Sequence, residues 1–441
     1  MAGGTWNTQN KVRPGVYIRF KSNDDYRMTI GERGIVAICM PLDWGPVDKI
    51  IEITPDMDTT SLIGATIQDT PWLREMFKGT NRTAGPKKVL VFRGYESDGV
   101  AATVTTGNLT ATAVYSGTAG NNLTIQIIAE ADSTFTVKTI YNGVIMDSQN
   151  GTTVASLSDN DWVKFTGSGA LAATAGAALT GGTNGDTTHV HANFLSVLEN
   201  YDFDIVAYDG TDNTTKSAYM AFIERMADEI GKYGQLIVVN TTAPDSRFVI
   251  NLAWSSSYQN VTLEDGTSIK PIYWLAGAEA GAQYNESLTY ATYPGAISGP
   301  SSPNQTIINA INAGKLVLDT ANGAVRVETD INSLHTYTQD IGAVYRKNRV
   351  MRLCNSLAND VYKQFSDNFI GVVTNNESGR ARLKAAIVGY MIQLQNGEGI
   401  RDFSPEDVEV LPGEAIDAVV INLAFFALDA VEKIYMTVTV N

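Results

Sequence analysis

Between residues 96 and 186 the chain changes character: Thr, Ala, Gly, Asn and Ser dominate, and eight acidic residues stand against Lys138 and Lys164 as the only basic ones. LTIQIIAEA and TFTVKTIY alternate apolar and polar positions at the period of a half-buried strand. Asn142-Gly143, placed before VIMD, carries the signal of a type I′ turn. Antiparallel hairpins are expected. On both sides of this stretch the texture differs, so residues 96–186 read as a β domain inserted into something else.

The flanks alternate strand-like and helix-like patterns. GIVAIC (34–39), the turn-rich PLDWGP (41–46) and IIEIT precede PWLREMFKG, a helix opened by Pro71 at a plausible first position, and KKVLVFRG closes the stretch as a buried strand. After the insertion, ANFLSVLENY, DFDIVAYDG, TKSAYMAFIERMADEIGKYG and QLIVVN resume the alternation. Residues 22–95 and 187–305 are therefore predicted to form one discontinuous α/β domain. YPGAISGPSSPNQT (293–306) marks its end or a long surface loop. From 306 to 432 an α/β C-terminal domain is expected, with two amphipathic helices on the spacings Val350, Cys354, Leu357, Val361, Phe365 and Leu383, Ile387, Tyr390, Leu394. The fold class is α+β and multidomain, consistent with 441 residues, which exceed one ordinary core.

Both ends read as short strand arms. At residues 1–21 a polar start gives way at Pro14-Gly15 to Val16, Tyr17, Ile18, Arg19 and Phe20, with Val16, Ile18 and Phe20 on one face. At 433–441, Ile434, Met436, Val438 and Val440 alternate with Tyr435, Thr437 and Thr439, so the sequence ends on a strand with Asn441 beyond it.

Charge and motif content exclude several functions. A formal charge of -15 disfavours gripping a phosphate backbone, whose affinity comes from Lys and Arg. The N-terminus has no apolar stretch of signal-peptide length, and no run approaches the roughly 18 apolar residues of a membrane span, so a product that is cytosolic when made, with no membrane insertion, is expected. Cys39 and Cys354 are too far apart in sequence to suggest a zinc knuckle or redox pair and read as buried free thiols. The Asn-x-Thr/Ser triplets at Asn108, Asn122 and Asn260 follow from composition. His189 and His191 would share a face on a strand, yet no further ligand completes a tetrahedral site, and His335 is remote. Gly314-Lys315 continues into Leu316 and lacks the hydroxyl of a phosphate-binding loop. Gly167, Gly169 and Ala172, with Asp186 downstream, imitate a dinucleotide fingerprint, but the Gly- and Thr-rich ATAGAALTGGTNG is a poor helix former. No catalytic residue, metal or cofactor is assigned.

Two basic clusters stand out in this acidic chain: Arg346, Lys347, Arg349 and Arg352 at one helix start, and Arg380, Arg382 and Lys384 at another. Each is either a solvated helix face or a patch meeting an acidic partner.

RPGVYIRF, GIVAICMPLDWGPVDKIIEIT, TAVYSGTAGNNLTIQI, ALTGGTNG and the block from GKLVLD through DAVEKIYMTVTV occur in an order that resembles the sheath proteins of contractile tails. The resemblance runs over essentially the whole chain. It is nearest to sheaths of phages and phage-tail-like bacteriocins of Gram-positive hosts, clostridial or diffocin-like particles among them. It implies subunits stacked as hexameric rings around an inner tail tube, bounded by baseplate and tail terminator proteins. It also implies terminal arms, residues 14–20 and 433–440, that add strands to a neighbour's sheet in the C-terminal domain, where 416–426 would supply a strand. A tube-facing helix would carry one of the two basic clusters. Another self-assembling structural protein, shell or S-layer-like, and a cofactor-binding α/β enzyme are the competing readings.

Overall fold

A computed structural model describes residues 2–4, 12, 15–17, 28–242, 244–253 and 260–440. The chain divides into two units, one formed by Gly31–Asn359 with Ala427–Asn441 and the other by Met1–Ile30 with Asp360–Phe426.

The first unit is organised by a seven-stranded sheet in the order Lys315–Leu316, Val249–Leu252, Gln235–Val239, Ile205–Ala207, Ile35–Met40, Lys88–Arg93, Ile50–Ile53. Neighbours run parallel except the last pair. Central strands of such a sheet are covered on both faces, which is why they read as continuous apolar runs. Their side chains still divide by the period of two: Val36, Ile38 and Met40 enter one apolar cluster, Ala37 and Cys39 the other. One sheet thus takes strands from both sides of the insertion.

The sheet also reaches past the expected boundary at residue 306. Lys315–Leu316 pairs with Val249–Leu252, and the hairpin Leu318–Ala321/Ala324–Val327 adds Leu318, Val325 and Val327 to the same core. The Pro/Ser/Gly-rich segment is therefore a connection within this unit, and 315–327 belongs with the sheet because Leu316, Leu318, Val325 and Val327 are buried in its core.

One helix, Ile272–Gly281, had no signature in the periodicity. All of its residues are buried, so apart from Glu279 it is apolar all round and carries no amphipathic stripe. It lies against the helix Pro71–Phe77, whose first position is indeed Pro71. The approach is so close that a Cβ at Gly277 would sit 1.7 Å from the Met76 carbonyl oxygen. Trp274 stacks on Tyr293 with centroids 4.4 Å apart and donates to the Gly79 carbonyl at 2.9 Å.

The inserted stretch forms a four-stranded sheet (Val144–Gly151, Phe135–Tyr141, Leu123–Ala129, Thr174–Ala178) and a three-stranded one (Val163–Gly167, Leu109–Ala113, Thr103–Thr106). Asn142 and Gly143 take φ of 49° and 82°, the pair of positive values that a type I′ turn requires. Between the sheets Leu123, Ile125, Val137, Trp162 and Val163 share a core with Trp44, which comes from the PLDWGP turn outside the insertion. Trp44 stacks on Trp162 at 5.2 Å and donates to the Ser61 carbonyl at 2.9 Å. At the exit, Asn184 donates to Asp43 at 2.7 Å and Asn121 to the Gly182 carbonyl at 2.9 Å, so ALTGGTNG acts as a polar clasp.

In the second unit the helix Glu377–Asn396 is capped by Asn376, whose side chain accepts from the Gly379 N–H at 2.8 Å. Its Tyr390 donates to Asp360 at 2.7 Å, and Gln393 donates to the Met28 carbonyl at 2.7 Å. A hairpin, Val408–Pro412 with Val419–Leu423, completes the unit, its register running from Val408↔Leu423 to Pro412↔Val419.

Candidate assembly surfaces

The C-terminal segment predicted as a strand is not one in the free chain. Residues 428–440 carry no strand, and Ile434, Tyr435, Met436 and Val440 are each more than 80% exposed. Val438 and the intervening Thr437 and Thr439 are exposed as well. A strand exists only as part of a ladder, and among the described residues none pairs with this segment. At the other end Gly15–Tyr17, which includes Val16 and Tyr17, pairs in parallel with Ala2–Gly4. Ile18, Arg19 and Phe20 lie outside the described residues.

The hairpin Val408–Pro412/Val419–Leu423 is a two-stranded sheet, an arrangement that is marginal in water without a further strand. Asn375 donates to the carbonyls of Ile416 and Ala418, both at 2.9 Å, which fixes the connecting loop. Ile416, Val420 and Leu411 remain exposed.

The two basic clusters have opposite fates. Arg352 is fully buried, its guanidinium pairing with Glu279, with Asp330 at 2.6 Å and with the Glu286 carbonyl at 2.7 Å. Arg349 is buried too. Arg346 bonds the Ile311 carbonyl and Lys347 bonds Glu432, so three of the four bond groups of their own unit. Burial and the charge of Asp330 push Glu279 well above the usual carboxyl range, outweighing Arg352. Burial also works against ionised Asp330, but the Arg352 charge and the Leu288 N–H hold it below its ordinary value. By contrast, Arg382 is exposed, Lys384 is half-buried, and Arg380 donates to Asn375 at 3.1 Å while remaining partly exposed.

The remaining polar motifs resolve into structural roles. His189 precedes the helix Val190–Leu198, so His189 and His191 sit on a helix start rather than a strand and diverge: His189 contacts Glu96 at 3.2 Å and His191 contacts the Tyr219 hydroxyl at 2.9 Å. Among the described residues no group of three His, Cys, Asp or Glu could hold a metal. After Gly167 and Gly169, with φ of 122° and 108°, comes the strand Thr174–Ala178 and not a helix, so no dipole is aimed at a pyrophosphate. Both cysteines are free thiols; burial pushes Cys39 up to about 12 and Cys354 up to about 11.

Four family models match the chain in sequence order. They are the tail sheath protein Gp18 domain III N-terminal region at 33–93, the phage tail sheath protein beta-sandwich domain at 97–184, its central domain at 180–333 and the phage tail sheath C-terminal domain at 340–441. The crystal structure of the sheath tail protein from Desulfitobacterium hafniense matches with a TM-score of 0.83 at 36% identity, covering 96% of this chain and 99% of that one. The chain belongs to the phage tail sheath family. Protein XkdK of the Bacillus subtilis phage-like element PBSX is 32% identical over 483 residues, covering 100% of both chains. The sheath of an extracellular contractile injection system, solved in its contracted state, shares the fold at a TM-score of 0.57 and 14% identity, covering 98% of each chain.

For this sheath subunit, sequence patterning missed the carboxylates that occupy the first basic cluster. Glu279 lies in the helix without periodicity, and Asp330 follows the hairpin in a segment without one. The available signal was the cluster itself: four cations at a helix start in an acidic chain call for internal counter-charges.

Proposed function

We propose that the two ends of this sheath subunit link it to its neighbours: residues 14–20 and 433–440 add strands to the Val408–Pro412/Val419–Leu423 hairpins of adjacent copies. The observation that carries this reading is a mismatch within one chain. An apolar, alternating, exposed segment has no ladder, while a two-stranded sheet has room for one. β-augmentation would satisfy both, with backbone hydrogen bonds giving affinity and alternate side chains giving register. At about 1 kcal/mol net per hydrogen bond, each link is worth a few kcal/mol plus the burial of its apolar face. Links of this kind do not close on themselves, so they generate a helical assembly, here stacked hexameric rings around an inner tail tube, ending on baseplate and terminator proteins. Subunit bodies then rotate on contraction while the linked strands persist, and the tube is driven through a target envelope. Arg380, Arg382 and Lys384 supply the tube-facing charge.

Deleting 433–441 tests the linkage. The truncated subunit is expected to remain folded, soluble and monomeric, and to form no tubes by electron microscopy. Normal tubes would refute the arm assignment. Unfolding on truncation would refute it too, by placing the segment in its own subunit's core.

A further inference from the structure

The C-terminal segment is held at one point before it runs free. Lys347 bridges two carboxylates of that segment, Glu432 and, at 3.6 Å, Asp429. The Thr289 hydroxyl donates to the other oxygen of Glu432 at 2.7 Å and accepts from the Asp330 N–H at 2.9 Å, which ties the contact to the buried Arg352 cluster. Lys347 itself is fixed by backbone: it forms a bridge with Ile331, and the following Asn348 N–H donates to the Asp330 carbonyl at 3.3 Å. Lys347 and Glu432 are only 24% and 15% exposed, so solvent screens them less than a surface pair. Beyond Glu432, residues 433–440 make no hydrogen bond or ion pair among the described residues.

We propose that Lys347 positions the C-terminal arm, fixing through Glu432 and Asp429 the point and direction from which residue 433 leaves the subunit. The proposal rests on the arm reading above. A tether that starts at 433 explores less volume than one released further back, and effective concentration at a neighbour's sheet falls as the tether lengthens. Loss of the clamp therefore weakens assembly without removing any residue that would enter the ladder.

Lys433 provides a direct readout, because trypsin can cut the Lys433–Ile434 bond in unassembled subunits. Lys347→Ala and Glu432→Gln are expected to raise that cleavage rate about tenfold and to slow tube formation, and Lys347→Arg to behave as wild type in both. Glu432→Gln keeps the side-chain shape and the Thr289 contact, so it decides the matter if Lys347→Ala fails to fold. Cleavage at the wild-type rate in the folded variants would overturn the clamp, as would faster cleavage with tube formation unchanged. Tubes from the 433–441 deletion would sink the arm reading instead, while the cleavage comparison still decides whether the clamp exists.

Discussion

The helix starts at 346–352 and at 380–384 look alike as sequence, each a run of cations in a chain of net charge -15. In the structure Arg349 and Arg352 of the first are buried, and none of the second is. Arg352 meets Glu279, Asp330 and a carbonyl at no exposure, whereas Arg380 touches a neutral amide and Arg382 is exposed. Charge density therefore does not decide whether a cluster is structural or a docking surface. The location of the counter-charge does: here it lies 73 and 22 positions away from Arg352 in sequence.

The sharpest break in that comparison is Arg352→Ala. It would leave Asp330 buried beside Glu279 without its counter-charge, a change that costs about 3–5 kcal/mol. Denaturant unfolding of the purified subunit should show that loss. A cost of the size typical of surface pairs would mean that the cluster is solvated after all.

A smaller effect distinguishes the two carboxylates. The folded chain holds a proton on Glu279 more tightly than the unfolded chain does, so the stability it contributes is full below its ordinary value of 4.5 and is lost as pH rises through the higher folded value. Asp330 acts in the opposite sense: its contribution is full above 3.8 and is lost as pH falls through the lower folded value. Glu279→Gln should abolish the decline on the alkaline side, gaining about 1 kcal/mol there, and leave the acid loss in place. An unchanged alkaline limb in stability measured against pH would show that Glu279 is ionised in the fold.

The same distinction explains what could be read from the sequence. Strands at Ile35–Met40, Lys88–Arg93 and Gln235–Val239 were legible because their apolar runs are a local consequence of burial on both faces. The turn at Asn142-Gly143 was legible because positive φ selects those residues. The helix Ile272–Gly281 was not, since uniform burial erases periodicity, and neither was the membership of Lys315–Leu316 in the sheet, since it is a strand only by virtue of its neighbour. For the candidate sites, the C-terminal arm stood out through its alternation, yet the clamp at its root could not be seen: Lys347, Thr289 and Glu432 are brought together by tertiary structure alone.

The smallest expected effect on stability is also the most informative about assembly. Replacing Arg380, Arg382 and Lys384 together by Glu changes one exposed and two half-buried side chains, so the subunit should lose no more than about 0.5 kcal/mol. If the helix Glu377–Asn396 meets an acidic tube surface, the same triple variant reverses the local field, and sheath assembly on purified tubes should fail or become strongly salt-dependent. A variant that is stable and still assembles on tubes at the wild-type rate would return this cluster to the status of a solvated helix face. Loss of assembly without loss of stability would instead place it opposite the 346–352 cluster in function as well as in burial.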